Sequence, residues 1–276
     1  MVSLSVRARD LLVRYMDIEN QYGVMEMQEH LLVLMHEFHS FCVKNEIKYS
    51  MDWGSLLGAV RHKGFIPWDD DLDIMVDRDN YNRIVEVIDK DGRFQFDNTN
   101  PQTLWIKRIR SVNGTEKYVY PPTIDIIIVD NAPNGKIARK LRILFTLMFQ
   151  GMLKVYPDFK KGNILIRLCS RITYYLGRVF PRDLKLYWYD KMARMSNGKS
   201  VRQLTSYFEE FNCLGKYYPT SLLKELILVP FENIEVYIVK NYHECLTIQF
   251  GSDYMTPKRD RLNHNEKRTK ILQDHA

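Results

Sequence analysis

The chain has 276 residues, 45% hydrophobic and 27% charged, with 13 Gly and 10 Pro. That is the composition of a soluble globular protein, long enough for one large domain or a core with an appendage. Forty Lys and Arg stand against 34 Asp and Glu, a formal charge of +6, which favours an anionic partner (nucleotide, phosphorylated glycan, membrane surface) without choosing among them. Four widely spaced cysteines, Cys42, Cys169, Cys213 and Cys245, form no CxxC or Cys/His pattern; they argue against a disulfide framework or zinc site and for reduced, mostly buried thiols.

Residues 1–24 read as a charged helical lead-in. Arg7, Arg9, Asp10 and Arg14 interrupt it, so it lacks the continuous apolar run of a secretion signal. From Met25 to Glu46, Leu31, Leu32, Leu34, Met35, Phe38, Phe41 and Cys42 recur at helical spacing and predict a strong helix. Its histidines, His30, His36 and His39, have no companion acid motif and are read as ordinary surface or core residues. A short strand is expected over Ile47–Met51, leading into Gly54-Ser55, then a helix over Leu56–His62 and a turn at Lys63-Gly64. Leu72–Val76 suits a second strand, and Asn80–Ile88 a helix capped by Asp79. Phe94–Asn113 reads as strand, loop and strand, carrying Lys107, Arg108 and Arg110. Thr123–Val129 is a β-branched strand with one acid, Asp125, in its middle, and turn residues from Asn131 to Gly135 end this half.

From Lys136 to Lys185 the composition shifts to apolar and aromatic residues alternating with Lys and Arg, with acids nearly absent. Two or three basic amphipathic helices are expected, either with a solvated basic face or in contact with anionic lipid or a phosphate-rich acceptor. The longest uncharged apolar run, residues 143–153, falls short of the roughly 20 residues needed to span a bilayer. The expected location is therefore the cytoplasm, or the inner face of a membrane. Residues 186–217 look mixed, with a strand expected over Phe231–Val239, a helix over Tyr242–Phe250 ending at Gly251, and a polar tail over 261–276. The domain reading is a lead-in over 1–24, a catalytic core over 25–135, an acceptor-side region over 136–260, and the tail.

Chemistry concentrates between Trp53 and Asp77, where Asp69, Asp70, Asp71 and Asp73 fall within five positions. Side chains alternate faces along a strand. If pairing reaches residue 69, Asp69, Asp71 and Asp73 share one face while Asp70, Leu72 and Ile74 take the other. Converging carboxylates repel at a cost of several kcal/mol in low dielectric unless a cation neutralises them. Mg²⁺ does so through one or two carboxylates plus substrate phosphates. Asp125 is reasonable inside an apolar strand if it faces the same ion. A calcium loop does not fit: Ile74 stands where the EF-hand needs Gly, and no Glu follows at position twelve. Gly54-Ser55 between strand and helix would let backbone N–H groups approach a phosphate.

This ordered set resembles the nucleotidyltransferase fold of the polymerase-β superfamily. The run GSLLGAVRHKGFIPWDDDLDI, residues 54–74, is similar to the signature of the LicD family, bacterial phosphocholine transferases related to fukutin and fukutin-related protein. Arg108-Ile-Arg110 with Asn113-Gly114-Thr115, Thr123-Ile-Asp125-Ile, and Phe250-Gly251-Ser252-Asp253-Tyr254-Met255 resemble further family segments. The likeness spans roughly residues 25–260, dense at 53–77 and sparse across 136–225.

The resemblance implies an α/β (α+β) architecture: a nucleotidyltransferase-like mixed sheet flanked by helices, with a helical basic insertion or C-terminal subdomain. It implies transfer of phosphocholine from CDP-choline to a hydroxyl of a cell-surface glycan such as lipopolysaccharide or teichoic acid. Asp71 and Asp73 would hold Mg²⁺ or Mn²⁺ with Asp69 adjacent, and Asp125 would complete the metal site or accept the acceptor's proton. Gly54 and Ser55 would line the diphosphate, and Arg61, Lys63, Arg108 and Arg110 are candidates for phosphate oxygens. Trp53, Trp68, Trp105, Tyr118 and Tyr120 are candidates for a cation–π cage around choline. Alternatives are transfer of ribitol- or glycerol-phosphate from its CDP ester, nucleotidyl transfer from an NTP, and a non-enzymatic glycan- or membrane-binding module with a degenerate site. Nucleic acid is not an expected partner, because the basic run lacks a recognition module.

Overall fold

The computed structural model describes residues 23–97, 100, 103–113, 121–155, 157, 159–160, 162–210 and 213–258. Residues 1–22 of the lead-in expected over 1–24, the polar tail over 261–276, Tyr118 and Tyr120 lie outside them. The chain is a mixed α/β protein. Helix α1, Val24–Lys44, buries the stripe Leu31, Leu34, Met35, Phe38 and Phe41. Strand β1 is only Ser50–Met51, shorter than expected, because the backbone before it is satisfied elsewhere: Ile47 N–H donates to Cys42 O at 2.9 Å and Lys48 N–H to Asn80 Oδ1 at 2.7 Å.

Helix α2, Trp53–Arg61, begins three residues earlier than expected, so Gly54 and Ser55 lie in its first turn rather than before it. Strand β2, Asp73–Asp77, runs directly into α3, Arg78–Asp91. The cap of α3 is Asp77, not Asp79: Asp77 is extended at the strand's end and its carboxylate accepts the Asn80 N–H at 2.8 Å. Strands β3, Phe94–Asp97, β4, Lys107–Ser111, and β5, Ile124–Asn131, follow.

The basic region forms α4, Lys136–Leu153, α5, Ile164–Val179, and α6, Arg182–Ala193, which ends in a 3₁₀ turn at Arg194–Ser196. Strands β6, Gln203–Ser206, and β7, Tyr218–Pro219, then return to the main sheet. Where one strand was expected over Phe231–Val239, the chain makes a hairpin of β8, Leu226–Phe231, and β9, Ile234–Val239, turning through Glu232 at φ 53°. Helix α7, Tyr242–Phe250, ends at Gly251 with φ 96°, as expected.

The main sheet has the order β1-β2-β5-β4-β3. β2 and β5 are parallel; the other pairs are antiparallel. β5 is central: β2 lies along one side, while β4 and β6 share the other, at Ile124–Ile126 and Val129–Asn131 respectively. Ile74, Val76, Ile124, Ile126 and Ile128 are fully buried in one cluster with the apolar stripe of α1. That leaves the opposite parity of β2 and β5 to carry Asp73 and Asp125.

Candidate active site

The strand registers line up five charged residues across the sheet. Asp97 in β3 lies opposite Arg108 in β4, Arg108 opposite Asp125 in β5, and Asp125 opposite Asp73 in β2. Asp52, just past β1, donates its N–H to Asp73 O at 3.0 Å and extends the row. Residues opposite each other in a sheet project to the same face, so the row is acid, base, acid, acid, acid. Arg108 Nε donates to Asp125 Oδ1 at 2.9 Å and its other nitrogens bond Thr103. The guanidinium therefore orients Asp125 and balances its charge.

Asp73 is the focus of uncompensated charge. Its carboxyl is pushed well above the usual range by burial first, and then by the charges of Asp71, Asp125, Asp52 and Asp69. Strand pairing starts at Asp73, not residue 69, yet burial alternates along the approach: Asp70, Leu72 and Ile74 are buried, while Asp69, Asp71 and Asp73 are partly exposed. Specific bonds replace the ladder there. Gln28 Nε2 donates to Ile66 O at 3.1 Å and to Asp69 O at 2.8 Å, and Asp125 N–H donates to Leu72 O at 2.8 Å.

The first turn of α2 closes one side. Ser55 Oγ accepts the Asp73 N–H at 2.9 Å, joining helix to strand at the acid itself. Gly54 lies against the Asp69 carboxylate so closely that a Cβ would collide with Oδ2. Trp53 before it has φ 42°, a region that a bulky side chain occupies only under constraint.

The remaining basic and aromatic candidates stand apart from the row. Arg61, at the far end of α2, donates to Tyr254 O at 3.0 Å and so holds the Asp253–Met255 segment. Lys63 is exposed, and its carbonyl receives the Glu232 N–H at 2.7 Å. Arg110 faces Asp97 at 3.5 Å. Trp68 is half-buried against the core. Trp53 meets Phe250 edge-on at 5.6 Å. Trp105 is buried, its indole N–H on Glu209 O at 3.0 Å. A 540 Å³ hollow lined by Lys48, Asp77, Asn80 and Arg83 lies at the opposite end of β2 from Asp73.

Three polar residues, one at the end of the row and two beside it, had no part in the sequence reading. Asp52, Glu209 and Gln249 are buried, and each leaves one side-chain oxygen without a hydrogen-bond partner. Gln249 Nε2 donates to Asp52 Oδ1 at 2.6 Å and to the Tyr218 hydroxyl at 3.2 Å. Burial raises the Asp52 carboxyl to about 7, against the pull of Gln249 and the Trp53 N–H. Burial and then Asp52 raise Glu209 well above its ordinary value, while Trp53 and Lys216 lower it. Asp52 stands at a strand–helix junction, which is a signal in itself. Glu209 sits beyond 150 residues of intervening chain, and no local pattern ties it to this place.

Among the described residues, no three His, Cys, Asp or Glu side chains stand together as a formed metal site. The donor chemistry nonetheless suits a hard divalent ion. The donors are all carboxylates, burial and four neighbouring acids make it costly to ionise Asp73 without a cation, and Arg108 Nε is given to Asp125.

Residues 46–127 match the family model for LicD/FKTN/FKRP, nucleotidyltransferase domain. This stretch is similar to the nucleotidyltransferase domain of the LicD family. It holds Gly54, Ser55, Asp69, Asp71, Asp73, Arg108 and Asp125. Similarity to one family protein reaches further: the lipopolysaccharide cholinephosphotransferase LicD of Haemophilus influenzae is 25% identical over 272 residues, 90% of this chain and 97% of that protein. Two uncharacterized proteins match shorter stretches. One from Rickettsia prowazekii is 45% identical over 58 residues, 21% of this chain and 22% of its own length. One from Rickettsia typhi is 59% identical over 44 residues, 16% of this chain and 14% of its own.

Proposed function

We propose that the chain is a metal-dependent transferase that moves phosphocholine from CDP-choline to a hydroxyl of lipopolysaccharide or a similar surface glycan, working in the cytoplasm. The observation that carries this reading is the parallel register placing Asp73 beside Asp125, with Asp71 adding the largest charge effect on Asp73. The full-length similarity to a lipopolysaccharide cholinephosphotransferase supports the donor and acceptor classes.

In this reaction the acceptor hydroxyl's oxygen bonds to the phosphorus that carries choline as its proton passes to a base, for which Asp125 is the candidate; the phosphoanhydride bond to CMP breaks, and CMP leaves with the electron pair. Asp71, Asp73 and Asp125, with Asp69 beside them, would hold Mg²⁺ or Mn²⁺. A bound ion would supply positive charge to the diphosphate as its leaving oxygen becomes anionic. Arg108 keeps Asp125 oriented through the 2.9 Å pair. Ser55 holds Asp73 at its backbone. Gly54 gives the first turn of α2 the closeness that lets backbone N–H groups face phosphate oxygens. Arg61, Lys63 and Arg110 are assigned to the donor's outer phosphate or to the acceptor, and Trp68 to the choline head, with less direct support.

The test is CMP release from a panel of CDP-alcohols in Mg²⁺, with and without lipid-linked acceptor. CDP-choline should turn over, and Asp71→Ala or Asp73→Ala should lower the rate by about 10³-fold in a folded protein. Turnover retained in those variants would sink the assignment. Preference for CDP-ribitol or CDP-glycerol would keep the site and change the donor. Pyrophosphate released from an NTP would identify nucleotidyl transfer instead.

A further inference from the structure

The basic helices have an apolar face that the fold leaves uncovered. Fourteen of the 23 exposed large apolar side chains among the described residues lie between residues 137 and 187. The densest group is on α5. At about 100° per residue, Ile164, Leu165, Leu168, Ile172, Tyr175 and Val179 fall in one arc about 100° wide. All six are exposed, Ile164 at 83% and Val179 at 73%. An arc of that width is what an amphipathic helix presents to its apolar neighbour.

That neighbour is not among the described residues of this chain. The packing side of α5 is the opposite one, where Gly177 lies against the Met152 backbone and Thr173 against Gly151, each so close that a Cβ on the glycine would collide. Lys185 bolts the contact, donating to Met152 O at 3.0 Å and Gly177 O at 2.8 Å. The flank of the apolar arc is basic: Arg167, Arg171 and Arg178 lie within about 60° beside it, all exposed. Residues 136–185 hold twelve Lys and Arg against two Asp, whereas the rest of the chain holds 28 against 32. The positive charge of the protein is therefore carried by this region. The adjoining helix α4 adds exposed Ile137, Leu141, Leu144 and Phe145 next in chain to exposed Lys136 and Lys140.

We propose that α5, with α4 beside it, docks the protein onto an anionic lipid surface. Apolar side chains enter the headgroup boundary while the flanking arginines meet lipid phosphates. α5 has 16 residues and three arginines, and no described helix is long and apolar enough to cross a membrane, so it lies along the surface. A second copy of the chain is disfavoured as occupant, because two such faces would bring like charges together. The docking stands on exposure and charge alone and is independent of the transfer chemistry.

The experiment is flotation of the full chain with vesicles of phosphatidylethanolamine and phosphatidylglycerol, or of phosphatidylcholine alone, alongside its mass in solution by light scattering. Binding to the anionic vesicles should exceed binding to the neutral ones by at least about tenfold and weaken with salt. The triple variant Ile164→Ser/Leu168→Ser/Ile172→Ser, at exposed positions, should fold with unchanged circular dichroism and lose the vesicles. Arg167→Glu/Arg171→Glu should lose the anionic preference. Equal binding to both vesicle types, or none, would overturn the proposal. So would a wild-type dimer that the triple serine variant makes monomeric without any change in lipid binding.

Discussion

Asp73 gathers repulsion from four other acids, and the sign of that effect can be measured apart from activity. Replacing it by Asn removes a charge that the ion-free fold holds at a penalty, so Asp73→Asn should raise the unfolding free energy in chelator by about 1–2 kcal/mol. The same variant should lose turnover. On the proposed metal site, Mg²⁺ should raise the melting temperature of the wild type, as a ligand of the folded state alone does, and leave that of the variant unmoved. Arg108 is the converse case. Arg108→Ala removes the buried guanidinium that donates to Asp125 at 2.9 Å and should destabilise by about 3 kcal/mol in urea unfolding. Glu209 gives a pH signature. Its folded-state carboxyl titrates well above the ordinary 4.5, so the native protein keeps a proton that the unfolded chain has released. Stability from this group is present below that ordinary value and falls as pH rises towards the folded value, by up to about 1.4 kcal/mol per pH unit. Glu209→Gln should flatten that slope; an unchanged slope in denaturation at stepped pH would show that the burial is relieved in solution.

At the scale of elements, two glycines with similar crowding should behave differently. A Cβ at Gly54 would strike the end of the Asp69 side chain, which can swing aside. Gly54→Ala should therefore cost little stability while displacing an acid beside Asp73 and lowering CMP release. A Cβ at Gly177 would strike the Met152 backbone, which cannot move without parting α4 from α5. Gly177→Ala should destabilise by about 2 kcal/mol with kcat kept in the folded fraction; equal effects on stability from both would contradict this difference. Periodicity located α1 by its long apolar stripe, and the dense β-branched runs of β2 and β5 located two strands that are buried on both faces. It misplaced the cap of α3, since Asp77 and Asp79 are both good caps and only the end of β2 decides between them. It missed β8 and carried the β9 strand back over the turn to Phe231, because Glu232 and Asn233 make that turn without Gly or Pro.

Over the whole molecule, the order of acids in the chain and their grouping in space are separate facts. The LicD-type signature, Asp69 to Asp73 followed by Asp125 in a β-branched strand, was legible by itself, because strand alternation and the cost of like charges leave few roles for such residues. So were the mixed α/β class and the basic character of residues 136–185. Tertiary structure alone decided the partners. The pairing of β2 with β5 sets Asp73 against Asp125, β4 brings Arg108 to Asp125, and the return of the chain through β6 and α7 brings Glu209 and Gln249 to Asp52. Those neighbours are distant in sequence, and sheet register and burial, which no local spacing encodes, choose them. The same holds for α5. Its sequence shows an amphipathic helix, but only the packing of Gly177 on Met152 determines which side is covered and which remains exposed.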